Sequence, residues 1–245
     1  MTALRRPQIL LNFAESLDGK IHPAPAQRPA RFAMSRGKED FRRMRWLREQ
    51  VDAVLIGASN LRIDDPGLSL HPDECARRRD AGIALPARVI VTRRAEGLEP
   101  NAKVFDPSIG GKTYVLHGAR LPQSAREKLA PVCELVELGE DDVPMSALLA
   151  WFADTLRAPR VLCEGGGILV AQLFAARAVD ELYLTLVPRV LGGANAPTLV
   201  AGDGFGPDQI PDAKLLSLER IGEELYLRYG FDWSESAMGE AARVM

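Results

Sequence analysis

The chain is poor in the residues that build metal and disulfide chemistry. Its 245 residues include three cysteines and three histidines. Cys75, Cys133 and Cys163 are odd in number, far apart and without a C-x-x-C pair. That argues against a disulfide framework or a cysteine-rich metal site and fits a reducing, cytoplasmic compartment. His22, His71 and His117 each stand alone, so a zinc site has no starting pair. No stretch approaches the roughly 18 apolar residues of a membrane span, and the apolar run after Arg5-Arg6 is too short for a signal peptide. Charge of one sign is lacking too. With 31 basic and 33 acidic residues the net charge is −2, which makes no electrostatic case for nucleic acid or an acidic membrane. The basic runs Arg42-Arg43 and Arg77-Arg78-Arg79 read as solvated faces. There is no internal repeat and no G-x-S-x-G elbow, and nothing marks a cysteine nucleophile.

What is present is an alternation of short apolar runs and amphipathic stretches. Hydrophobic residues make up 47% of the chain and charged residues 26%, the profile of a globular protein with a single large domain over 1–245, its core over about 7–231 and a loose tail over 233–245. Strands are expected at 8–13, 53–57, 88–92, 113–117, 132–138, 160–164 and 180–190, and a hairpin at 215–221 and 224–231 around Gly222-Glu223. Helices are expected at 38–51, with Phe41, Met44, Leu47 and Val51 on one face, at 144–156 and at 168–177. Residues 22–29 read as a proline-rich loop, and 60–66 as a turn. Strands alternating with helices imply an α/β fold, a mainly parallel sheet covered on both faces, with an antiparallel hairpin at its C-terminal edge. Ligands then bind beyond the C-terminal ends of the parallel strands.

Four features carry possible chemistry. Val161-Leu162-Cys163-Glu164-Gly165-Gly166-Gly167 runs a buried strand into three glycines and a helix. Such a turn suits a phosphate, because the helix start offers free N–H groups and a positive dipole; a tight strand-to-helix turn needs the same glycines. It is not G-x-G-x-x-G, which disfavours a Rossmann domain. Glu164 ends the strand, where a carboxylate must be solvated, paired or functional. Arg48 lies seven residues after Phe41, at the edge of the apolar stripe. It suits bidentate binding of phosphate or carboxylate, and also snorkelling or an internal ion pair. Asp64-Asp65-Pro66 offers paired carboxylates for acid–base work or for capping a turn, with little support for a metal.

Together the blocks SLDGKI at 16–21, LREQVDAVLIGASNLRIDDPGLSLH at 47–71, CEGGGILVAQLF at 163–174 and VDELYLTLVPRVLGGANAPTLVAGDGF at 179–205 resemble the pyrimidine reductases of riboflavin biosynthesis, over about 7–231. The resemblance implies a dihydrofolate-reductase-like fold, NADPH, a homodimer, and reduction of the ribosylamino side chain of a phosphorylated aminopyrimidine to ribitylamino. By position it implies substrate contacts at Lys20, Arg48, Asp64, Leu68, His71 and Glu164. It implies cofactor contacts at Gly57, Asn60, Asp64, Gly165, Gly166 and Gly167, and it puts Lys20, Asp64 and Glu164 nearest the chemistry. Thr92 joins the cofactor set as a candidate for a 2′-phosphate, with Arg93 or Arg94 beside it. Asn60 and His71 depart from the Thr and Arg of many members; with no arginine at 71, Arg48 and Lys20 are expected to hold the substrate phosphate while Glu164 and Asp64 face the pyrimidine and the developing imine. The H-x-E and P-C-x-x-C signature of the deaminase that accompanies some members is absent here. Two other readings fit the same residues: a reductase of this fold acting on a pterin or a secondary-metabolite pyrimidine, and a nucleotide-binding protein without turnover.

Overall fold

A computed structural model describes residues 6–27 and 32–234. The last residues of the proline-rich loop and the tail beyond 234 lie outside this range. The chain divides into two compact units, one of Met1–Gln8 with Phe41–Gly166, the other of Ile9–Asp40 with Gly167–Met245.

The first unit is a parallel sheet with helical crossovers. Its strands are β2 (Ala53–Gly57), β3 (Ala87–Val91), β4 (Thr113–His117), β5 (Glu134–Glu137) and β6 (Arg160–Cys163), taking β1 for the strand of the second unit that precedes them in the chain. Their order is β5-β4-β3-β2-β6, every pair parallel. All five β2 residues and all five β4 residues are buried. That is why these segments read as continuous apolar runs rather than alternations. Leu55, Ile90, Leu116 and Leu162 lose all solvent contact and form the sheet's core. Helix α1 (Lys38–Glu49) leads toward β2, and α2 (Ala58–Asp64) leaves it. Between β2 and β3 lies α3 (Pro72–Asp80), between β4 and β5 α4 (Gln123–Leu129), and before β6 α5 (Met145–Ala150), which widens into a π-helical turn at Trp151–Thr155.

The second unit pairs β1 (Gln8–Ser16) in parallel with β7 (Val179–Val187). β7 then pairs antiparallel with β9 (Glu224–Gly230), and β9 with β8 (Lys214–Ile221). Helix α6 (Gly167–Ala175) precedes β7. The architecture is thus α/β with mostly parallel pairing and a C-terminal antiparallel hairpin, as expected. Among the described residues no helix is long and apolar enough to cross a membrane.

Four local expectations are corrected. Residues 60–66 are not a plain turn: α2 occupies most of them and ends where Asp65 adopts a left-handed conformation, φ 41°. Phe41 does not share the buried stripe, being 57% exposed, whereas Leu47 and Val51 are buried. Helices α3 and α4 were not anticipated. Arg78 is not a solvated charge: it is buried and donates to the carbonyls of Ala84 and Glu49.

Candidate active site

In the first unit the ends of β2 and β6 meet at backbone level. Gly57 donates its N–H to the Gly165 carbonyl at 3.0 Å, and Glu164 donates its own to Leu55 at 3.0 Å. The chain then passes through Gly165 and Gly166, with φ of 134° and 96°, conformations that L side chains rarely adopt. Gly167 opens α6, nine residues long. A Cβ on Gly57 would enter the space in front of this turn, 3.6 Å from the Gly165 carbonyl and 3.8 Å from the Gly166 Cα. Gly167 answers to a different constraint. A Cβ there would lie 2.9 Å from the Thr198 carbonyl, so chain packing accounts for that glycine.

Glu164 follows the last residue of β6, and its partner is Arg48 near the C-terminal end of α1. Arg48 Nε donates to Glu164 Oε1 and Nη2 to Oε2, both at 2.6 Å. The side chains are 8% and 9% exposed. The third arm, Nη1, donates to the Ser69 carbonyl at 3.0 Å. Burial opposes the charge on Arg48, but the Glu164 and Glu74 carboxylates together outweigh it and the guanidinium's pKa is raised. Removing one member of such a pair strands a buried charge, which typically costs about 3–5 kcal/mol. Of the readings open for Arg48, the internal ion pair is the one realised. These bonds use three of the five N–H donors of the guanidinium; the second N–H of Nη1 and that of Nη2 take no part in them.

The loop that supplies Ser69 carries two more predicted residues. Leu68 is buried and has φ 52°, a left-handed conformation costly for a branched side chain. His71 caps α3: its ring accepts from Asp73 N, and its own N–H donates to Glu74. Asp64 is exposed at the end of α2. Its neighbour Asp65 is committed to structure, accepting from Lys103 N at 3.0 Å. Asn60 sits within α2, half-buried. Thr92 follows β3, and its hydroxyl accepts from Ala95 N at 2.9 Å. Arg93 pairs with Asp142 at 3.0 Å, while Arg94 is exposed and makes no ion pair among the described residues.

Lys20 belongs to the second unit, in the turn after β1. Ser16 and Lys20 close that turn, with Ser16 N donating to the Lys20 carbonyl at 2.9 Å and Lys20 N to Ser16 Oγ at 3.1 Å. Asp18 fixes it to the following chain by accepting from the N–H groups of Leu191 and Gly192. Bonds from Ser16 and from those amides pull its carboxyl pKa down to about 2. Sequence reading did not single out Glu15, a half-buried carboxylate on the same strand whose pKa burial pushes up. Cys163, one residue before Glu164, is pushed up to about 12 by burial, which leaves no thiolate for nucleophilic chemistry. A cavity of about 920 Å³ in the second unit, bounded by Phe174, Leu216, Phe231 and Trp233, contains none of the predicted residues.

A parallel α/β sheet with a glycine turn and a buried carboxylate at the strand ends defines a class of ligand-binding fold rather than one chemistry. Comparison with known proteins supplies the family. The model of the RibD C-terminal domain matches residues 7–227, and the chain belongs to that family, the pyrimidine reductases of riboflavin biosynthesis. The 2,5-diamino-6-ribosylamino-4(3H)-pyrimidinone 5′-phosphate reductases of Archaeoglobus fulgidus and Methanothermobacter thermautotrophicus are 30% and 31% identical to it. Those alignments cover 89% and 91% of this chain and 95% and 98% of the relatives. Among solved structures, RibD of Acinetobacter baumannii superposes with a TM-score of 0.73 at 23% identity, over 93% of this chain and 58% of the longer one, a likeness of fold.

Proposed function

We propose that the protein is an NADPH-dependent reductase that converts the ribosylamino side chain of a phosphorylated aminopyrimidine to ribitylamino. The observation that carries this reading is Glu164, a buried carboxylate held at the end of β6 directly before a glycine turn. The names of the two archaeal relatives support the diamino pyrimidinone as substrate over its deaminated form. The family match runs from 7 to 227, which supports one reductase domain. Three free cysteines are consistent with a cytoplasmic protein.

The residues fit a nicotinamide cofactor. Gly57, Gly165 and Gly166 leave the backbone open to a pyrophosphate, and α6 begins directly after them. Asn60 and Thr92 are read as further polar contacts and Arg94 as the partner of a 2′-phosphate. When bound, the cofactor supplies the hydride that reduces C1′ of the ring-opened substrate imine. The protein's own task is to hold that imine and favour its protonated form. Glu164 is an acceptor, since both of its oxygens already take a guanidinium N–H and each keeps a lone pair free. Its charge stabilises an iminium nitrogen. Lys20 is read as the donor to a ribose hydroxyl or the phosphate. Asp64, Leu68 and His71 are read as lining the substrate. The protein is read as a homodimer.

The test is the loss of NADPH absorbance with the diamino pyrimidinone, its deaminated form and dihydrofolate in turn. Turnover with either pyrimidine and none with the folate is expected. The reverse pattern would assign the chain to pterin reduction.

A further inference from the structure

The first unit has a second cavity, of about 540 Å³, at the edge of the sheet opposite to Gly57 and Glu164. It is bordered by Asp52 before β2, Ala87 at the start of β3, Lys112 before β4 and Ala158 before β6, that is, by the N-terminal ends of four parallel strands. β2 spans only Ala53–Gly57, with this cavity at its start and the glycine turn at its end. The volume suits a small molecule. Ile83, Leu85 and Leu156 give it an apolar wall, and Ile83 is 49% exposed.

The same cavity is lined by three cations, Arg78, Lys112 and Arg157, against one carboxylate, Asp52. Arg78 is only 5% exposed, yet it bonds carbonyls alone, those of Ala84 and Glu49, and forms no ion pair among the described residues. These bonds use two of its five N–H donors, and neither N–H of Nη2 takes part. Burial lowers its pKa by more than Asp52 and Glu49 raise it, so the guanidinium is short of negative charge. The Asp52 carboxylate is engaged elsewhere, accepting from Arg160 N at 3.0 Å. Arg157 has φ 55° directly after the helix cap at Leu156, a place where glycine folds at least cost. Its side chain is exposed and forms no hydrogen bond or ion pair among the described residues. It therefore contributes charge to the cavity rather than bonds to the fold. Lys112 pairs with Glu134 at 2.8 Å, but both are more than half exposed, and such a contact holds a lysine weakly.

We propose that this cavity is a second ligand site, distinct from the reductase site, for a phosphate monoester with a small apolar body. A dianion takes charge-assisted hydrogen bonds from several cations at once, and Arg78, Lys112 and Arg157 supply them. The apolar body lies against Ile83, Leu85 and Leu156.

The probe is phenyl phosphate, added to the whole chain in the presence of NADPH. In a ¹⁵N spectrum the amides of Ala84, Lys112 and Arg157 should move most and those of Gly57 and Gly165 least. Titration calorimetry should give a dissociation constant of about 1 mM or below. Inorganic phosphate should bind about tenfold more weakly, and benzyl alcohol, which has no charge, should not bind. Arg157→Gln, a change at the surface, should weaken phenyl phosphate about tenfold or more. Lys20→Ala, which alters the proposed substrate phosphate contact of the reductase site, should leave its affinity unchanged. No binding at millimolar concentration, shifts centred on Gly57 and Gly165, or equal affinity for inorganic phosphate or benzyl alcohol would overturn the proposal. So would binding that survives Arg157→Gln or is lost in Lys20→Ala.

Discussion

Gly57 and Gly165 are joined by a backbone hydrogen bond of 3.0 Å, so the end of β2 and the glycine turn after β6 form one surface. Gly57 itself has an ordinary extended backbone, φ −80°, and an added methyl would make only normal contacts with the turn. The protein's own packing gives no reason for glycine here; a close-lying cofactor would supply one. Gly57→Ala should therefore leave the melting temperature nearly unchanged while raising the NADPH dissociation constant about tenfold, a change of roughly 1.4 kcal/mol. Titration calorimetry reads this directly, and unchanged affinity would remove the cofactor from this surface. Gly166→Val is a poorer probe, because φ of 96° strains any side chain whether or not a ligand binds.

Arg94 should govern the choice between NADPH and NADH more than Arg93 does. Arg93 already pairs with Asp142 at 3.0 Å. Arg94 has no such partner among the described residues and follows the same strand end. Arg94→Ala is expected to lower the NADPH-to-NADH ratio of kcat/KM by about tenfold, and Arg93→Ala by much less. Steady-state rates with both cofactors test it; equal ratios in all three proteins would contradict it.

Much of this scaffold was legible in the sequence, for physical reasons that can be named. β2 and β4 were found to the residue because full burial on both faces leaves an unbroken apolar run. α2 was misread because Asn60, Asp64, Asp65 and Pro66 are turn formers by propensity, while Ala58 and Leu61, one turn apart, are the residues the helix buries. α3 announced itself without being noticed: His71 at its cap, Pro72 at its start, Asp73 and Glu74 in its first turn and three arginines in its last are all start and stop signals. The residue types of the site were legible, but the Arg48–Glu164 pair was not. Its members are 116 positions apart in sequence, and nothing local shows which carboxylate a guanidinium will meet.

The turn that carries Lys20 should be sensitive to acid. Asp18 has a folded-state pKa of about 2, below its ordinary 3.8, because Ser16 and the amides of Leu191 and Gly192 bond its charged form. The stabilisation is complete above about pH 4 and fades as pH falls toward 2. Wild-type protein should lose more melting temperature between pH 4 and pH 2 than Asp18→Asn, whose other carboxyls titrate alike. Parallel curves for the two proteins would show that Asp18 does not hold the turn.

The hairpin edge is expected to be covered by a second copy of the chain. Every residue of β8 is exposed, including Leu215 at 49%, Leu216 at 45% and Leu218 at 56%. A run of exposed leucines on an edge strand is an association surface. Light scattering should give twice the chain mass at micromolar concentration, and Leu216→Glu with Leu218→Glu should give the monomer. A wild-type monomer would contradict this.

The most direct test of the proposed reaction follows the hydride itself. NADPH deuterated at C4 of the nicotinamide, in each stereochemical form, is incubated with the protein and the 2,5-diamino ribosylaminopyrimidinone phosphate, and the product is read by mass spectrometry. The account predicts that one of the two forms delivers a single deuterium to C1′ of a ribityl chain, with one NADPH consumed per product, and that Glu164→Gln slows the transfer without moving the label. Deuterium at any other carbon, or cofactor binding with no transfer to either pyrimidine, would contradict it.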